Sequence, residues 1–164
     1  MKKDALSIIN AAIKAADPYE NTKRLLEEKL PAGKINVLAV GKAAVPMAEA
    51  SRDVLGDRIG KALLVTKYFH SEGFSDERFE IIEAGHPVSD DNSILAAEKG
   101  LGLALGLEEG DVLLVLLSVA HTKDFLLILS LVLLMLSRAS DINVEYIGIS
   151  VLNLLNHRDS LNLR

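Results

Sequence analysis

Four short apolar runs separated by polar turns set the rhythm of this chain. Ile35–Val40, Lys61–Thr66, Phe79–Ala84 and Val112–Leu117 are rich in Val, Ile and Leu, which is the composition of strands buried on both faces. Ala43, Met47, Ala50 and Val54 recur at helical spacing after the first run, and Ile94, Ala97, Leu101 and Ala104 after the third. Strands alternating with helices at this spacing predict parallel βαβ units. The expected architecture is a three-layer α/β domain with a mainly parallel sheet, and residues 1–164 form one such domain.

The flanking segments follow the same reading. Leu6, Ile9, Ile13 and Ala16 fall on one helical face, and Asp17-Pro18 stops that helix. A second helix is predicted from about Asn21 to Leu30, with Leu26 and Leu30 inward, closed by Pro31 and Gly33. The two helices are expected to cover one face or edge of the sheet. Ser71–Arg78 reads as surface loop. Gly85–Ser93 is dense in turn residues, and Asp90, Asp91 or Asn92 caps the helix that follows. Gly100, Gly102 and Gly106 weaken that helix, so close packing on a sheet is expected there. Beyond Ser118 the turn chemistry thins out, with Gly148 the one glycine and no proline. Phe125–Arg138 is nearly apolar all round, a pattern that suits a buried helix or a strand equally. Val144–Val151 reads as a last strand.

Composition narrows the function classes. With 164 residues the chain can bury a sizeable single core. A net charge of −5 without any Lys/Arg cluster argues against nucleic-acid binding. The absence of cysteine removes disulfides, thiol nucleophiles and thiolate metal sites. Asp4, Asn10 and Lys14 interrupt the start, so no signal peptide is read there. The longest apolar block, Phe125–Leu136, falls short of the roughly 20 residues that a bilayer requires. The expectation is a cytoplasmic protein with no membrane partner, and Phe125–Leu136 is a candidate surface for homo-oligomer formation.

Candidate chemistry gathers at the first strand–helix turn. Gly41 breaks the run and Lys42 places an ammonium where the next helix begins. Backbone N–H groups and a cation converging at a helix N-terminus outline an anion site. A lysine there is mildly unfavourable, by about 0.3–1 kcal/mol, unless an anion sits beside it. In parallel sheets ligands bind outside the carboxyl ends of the strands, the end to which Lys42, His70, His86 and Ser118 belong. His121-Thr122-Lys123-Asp124 has no ligand spacing for a metal. No Ser-His-Asp arrangement, P-loop or GxGxxG motif is present.

GKAAVPMAEASRDVLGDRI, ALLVTKYFH, EAGHPVSDDNSILAAEKGL and DVLLVLLS, in this order, resemble the N-terminal domain of the glycerate 2-kinases of the MOFRL group. Some members of that group carry the label hydroxypyruvate reductase. The resemblance covers about residues 5–118, leaving 119–164 divergent, and it implies a Rossmann-like fold. It also implies transfer of a phosphoryl group from ATP, with Mg, to the 2-hydroxyl of glycerate, so that glycerate and a nucleotide are the expected partners. Lys42 then matches a catalytic active-site lysine. Gly41, His86 and Ser118 would line the same cleft as substrate- or phosphate-binding residues, with no metal ligand assigned.

The chain departs from the family pattern in two places. Where the family has Ser-Gly-Gly-Gly-Ser, this chain reads Ser118-Val119-Ala120-His121-Thr122, and side chains stand where glycine permits close backbone approach. The sequence also stops at Arg164, so the family's second domain, which supplies an arginine to the cleft, is expected to be absent. Three readings follow: a glycerate-kinase-like protein that is incomplete or inactive as this chain alone, a non-catalytic anion-binding remnant, and an oligomerising α/β unit.

Overall fold

A computed structural model describes residues 2–29, 32–108, 110–119 and 143–150. Along the chain run α1 (Lys2–Ala15), α2 (Pro18–Glu28), β1 (Ile35–Gly41), α3 (Ala44–Leu55) and a 3-10 turn at Gly56–Arg58. They are followed by β2 (Ile59–Lys67), β3 (Phe79–Ala84), α4 (Asp91–Leu105), β4 (Val112–Val119) and β5 (Asn143–Ser150). The five strands lie in the order β3-β2-β1-β4-β5, and every neighbouring pair is parallel. The parallel α/β reading holds.

Strand alternation divides the core into two layers. Ile35, Val37 and Ala39 of β1, with Leu114 and Leu116 of β4, face Met47, Ala48 and Leu55 of α3 and Leu26 of α2. Leu38 of β1, Leu63 and Val65 of β2 and Val115 and Leu117 of β4 face Ala96 and Ala104 of α4. Both faces are apolar, so the runs read as continuous hydrophobic stretches and not as alternating ones. Asn36, buried within β1, is an exception. Its side-chain amide donates to Asp111 Oδ2 at 3.2 Å, and its Oδ1 accepts the Lys61 N–H at 2.9 Å. These bonds satisfy a buried polar group and tie together the amino ends of three strand segments.

Several expectations need correction. The second helix starts at Pro18 and ends at Glu28, not from Asn21 onward. Asp17 accepts the Glu20 N–H at 3.0 Å, and Pro18 takes the first helical position, where a missing N–H costs nothing. The same dipeptide thus ends α1 and starts α2. Helix α2 joins the α3 layer, but α1 does not cover the sheet: Leu6, Ile9 and Ile13 remain 52–66% exposed.

Ser71–Arg78 is not simply surface, because Phe74 is buried edge-on against Phe79 with the Arg52 guanidinium over its ring. Gly100 does lie on the sheet, where a Cβ would touch Leu63 and Leu38 at ordinary distance, whereas Gly102 has nothing near it. Leu30, Phe125–Leu136, the His121–Asp124 stretch and Val151 lie outside the described residues.

Candidate anion-binding site

The strand order fixes where a ligand can sit. From β1 the chain winds outward through β2 to β3, then crosses back to place β4 on the other side of β1. The crevice outside the carboxyl ends of β1 and β4 is therefore the topological switch point, the usual ligand position in such sheets. Gly41, Lys42 and Ser118 occupy this point. Gly41 is paired with Ser118 in the last rung between the strands. Its φ is +116°, and a Cβ there would lie 2.2 Å from the Ser118 carbonyl oxygen. Only glycine lets β1 leave the sheet so close to β4.

The turn that follows is held from below. Ser118 Oγ accepts the Ala43 backbone N–H at 3.1 Å, which fixes the turn over the end of β4. Helix α3 then starts without a side-chain cap. Pro46 in its first turn carries no N–H, and the first helical bond runs from the Met47 N–H to the Ala43 carbonyl at 3.3 Å. The exposed Lys42 stands beside an uncapped helix start, the positive end of the helix dipole.

His70 and His86 lie further out, after β2 and β3. Among the described residues no hydrogen bond or ion pair links either to Lys42. A separate polar network joins their loops. Glu83 accepts the Ser71 N–H and Oγ–H at 2.9 and 2.8 Å and the His70 N–H at 3.0 Å. These donors, led by the Ser71 and Phe69 N–H groups, pull its carboxyl down to about 2. Tyr68 donates to Asp90 at 2.7 Å. With the Gly85 N–H as the next contributor, that bond holds the Asp90 carboxyl at about 2, while the carboxylate pushes the Tyr68 hydroxyl up.

Asp90 also caps α4 in a reciprocal capping box with Ser93, which settles which of Asp90, Asp91 and Asn92 does so. Asn92 donates to the Glu83 carbonyl at 2.8 Å and to the Tyr68 hydroxyl at 3.2 Å. His86, half-buried before a cis bond to Pro87, sits on the loop that this network braces.

Sequence reasoning overlooked Tyr68, Glu83 and Asp90 as one unit. Their only trace was a run of polar residues at matching strand ends. It also passed over Thr66, a polar residue closing the apolar run of β2. Among the described residues no group of three or more His, Asp or Glu could hold a metal ion. No helix among them is long and apolar enough to cross a membrane.

A doubly wound parallel sheet with a glycine–lysine turn at its switch point defines a Rossmann-like α/β domain. More narrowly, the chain belongs to the DUF4147 family, described as a domain of unknown function, whose model matches residues 4–120; this is the N-terminal domain of the glycerate 2-kinases. It is 47% identical over 118 residues to D-glycerate 2-kinase of Thermotoga maritima, covering 72% of this chain and 28% of that protein. It is 36% identical to glycerate 2-kinase of Pyrococcus horikoshii, with the same two coverages. A crystal structure of glycerate kinase from Thermotoga maritima superposes with a TM-score of 0.62 at 45% identity, over 71% of this chain and 28% of that one. The chain thus spans about 28% of the length of these relatives.

Proposed function

We propose that this chain is a glycerate 2-kinase-like domain whose Gly41-Lys42-Ala43 turn binds the anionic end of glycerate or a phosphoryl group. The observation that carries this reading is the closure of the turn against β4, through the Gly41–Ser118 contact and the Ala43–Ser118 hydrogen bond. Fixed backbone donors and a nearby ammonium stabilise an oxyanion because they need no reorganisation when it arrives. Lys42 would supply the charge, Gly41 the close approach and Ser118 the fixed floor, with His86 on an adjoining loop. In a complete enzyme the reaction would move the γ-phosphoryl group of ATP to the 2-hydroxyl of glycerate, in the cytoplasm. Residues 1–164 act here as a single α/β domain.

As this chain alone, turnover is expected to be very low. Phosphoryl transfer rests mainly on positioned positive charge around the phosphates. Ser118-Val119-Ala120 replaces the glycine loop expected from the family. Losing even one such stabiliser typically costs about 10²–10³ in rate. A coupled ATP–glycerate assay giving about 1–100 turnovers per second would overturn this. The second reading, an anion-binding domain without catalysis, rests on the same turn.

Binding itself is tested by heat. A ligand that binds only the folded state raises stability by RT ln(1 + [L]/Kd), about 2.7 kcal/mol at a hundredfold excess over Kd. Phosphate or glycerate should raise the melting temperature at ionic strength matched with chloride, and Lys42→Ala should remove most of that rise. Equal shifts in both proteins would leave Lys42 an ordinary loop residue.

A further inference from the structure

Thr66 is 3% exposed, and among the described residues its Oγ1 has no hydrogen-bond partner. A buried hydroxyl left in this way is uncommon and asks for a reason. Strand alternation gives its direction. Ala62 and Leu64 of β2 pack in the α3 layer, Leu63 and Val65 in the α4 layer, so Thr66 continues on the α3 side. Val40 pairs with Val65, which places Thr66 one rung further, beside Gly41. The hydroxyl thus lies at the carboxyl edge of the sheet, on the same face as the uncapped start of α3. Thr22 is also buried without a partner, but it sits on α2 and not at this edge.

We propose that Thr66 is a further ligand-binding residue of the anion site, its hydroxyl donating a hydrogen bond to an oxygen of the bound phosphate or carboxylate. The inference rests on the anion-site reading of the Gly41-Lys42-Ala43 turn and adds an inner wall to it. Lys42 meets the anion from the solvent side and Thr66 from the sheet side. A hydroxyl that lacks a protein acceptor keeps its donor for the ligand, and a hydrogen bond to a charged group is stronger than one between neutral groups. The wall is selective for oxyanions, because a ligand without an acceptor would leave the hydroxyl unpaired.

The test measures inorganic phosphate binding to the full chain by calorimetry, beside ligand-free melting temperatures. Thr66→Val keeps the shape and removes the hydroxyl. It should weaken phosphate binding about tenfold or more while leaving the ligand-free melting temperature equal or higher, since a buried unpaired group has been deleted. Thr66→Ser should retain binding. Wild-type affinity in Thr66→Val would overturn the role of Thr66, and if Lys42→Ala still lost binding the wider site would stand without it. A lower ligand-free melting temperature in Thr66→Val would show that the hydroxyl has a protein partner, which also overturns the inference. Binding lost in Thr66→Val but kept in Lys42→Ala would support Thr66 and remove Lys42 from the site. Absence of phosphate binding in the wild type would overturn both.

Discussion

Gly41 carries more structural constraint than any other residue at the switch point. Its positive φ and the 2.2 Å approach that a Cβ would make to Ser118 mean that Gly41→Ala must both strain the backbone and push β4 aside. The strain alone costs roughly 1–3 kcal/mol, and displacing packed neighbours adds a similar amount. Urea unfolding should show this loss, and an unchanged midpoint would mean that β1 leaves the sheet by another path. Gly102 is the opposite case. It lies inside α4 with open space around it, so Gly102→Ala should raise stability by up to about 1 kcal/mol, read in the same unfolding experiment. The two glycines are indistinguishable by type in the sequence. Only the strand–turn–helix context marked Gly41, and nothing local marked Gly102 as dispensable.

Among the elements, the loops after β2 and β3 depend on ionised carboxylates. Glu83 gathers N–H groups from residues 69–71, which holds the exposed Phe69 at a φ of +64°. Asp90 joins the second loop to the first through Tyr68. Both carboxyls sit at about 2, below their ordinary 4.5 and 3.8. A depressed folded-state value contributes stability that is fully present above the ordinary value and is lost as pH falls through the folded one. The melting temperature should therefore drop between about pH 4.5 and 2. Glu83→Gln should lower it at neutral pH and flatten that drop. A wild-type curve parallel to that of Glu83→Gln would show that the Glu83 carboxylate does not brace the loop.

The strands and α3 were legible because buried parallel strands and helix stripes leave strong periodic signals. The network was not, because Tyr68, Glu83 and Asp90 meet only when β2 and β3 align. The start of α2 was misplaced because Asp17-Pro18 reads equally as a stop and as a cap.

For the molecule as a whole, the exposed apolar surface of α1 has a consequence in solution. Leu6, Ile8, Ile9 and Ile13 of α1 are all more than half exposed. Apolar surface on this scale favours association, so self-association is expected in solution. Light scattering should show a mass above the 17.7 kDa of one chain, rising with concentration. A constant monomer mass up to high concentration would mean that these residues are covered within one subunit.

The pairing of β1 with β4 also carries a kinetic consequence. The Ala43–Ser118 bond joins residues 75 positions apart, whereas β1, β2 and β3 meet through shorter connections. Closing a long loop costs entropy before its contacts repay it, so the proposed anion site should assemble late, when β4 docks. Phosphate would then find no binding site in the transition state if β4 is still undocked there. In that case it should slow unfolding in proportion to its occupancy and leave the refolding rate nearly unchanged, so the ligand would act as a latch that closes after the fold is made.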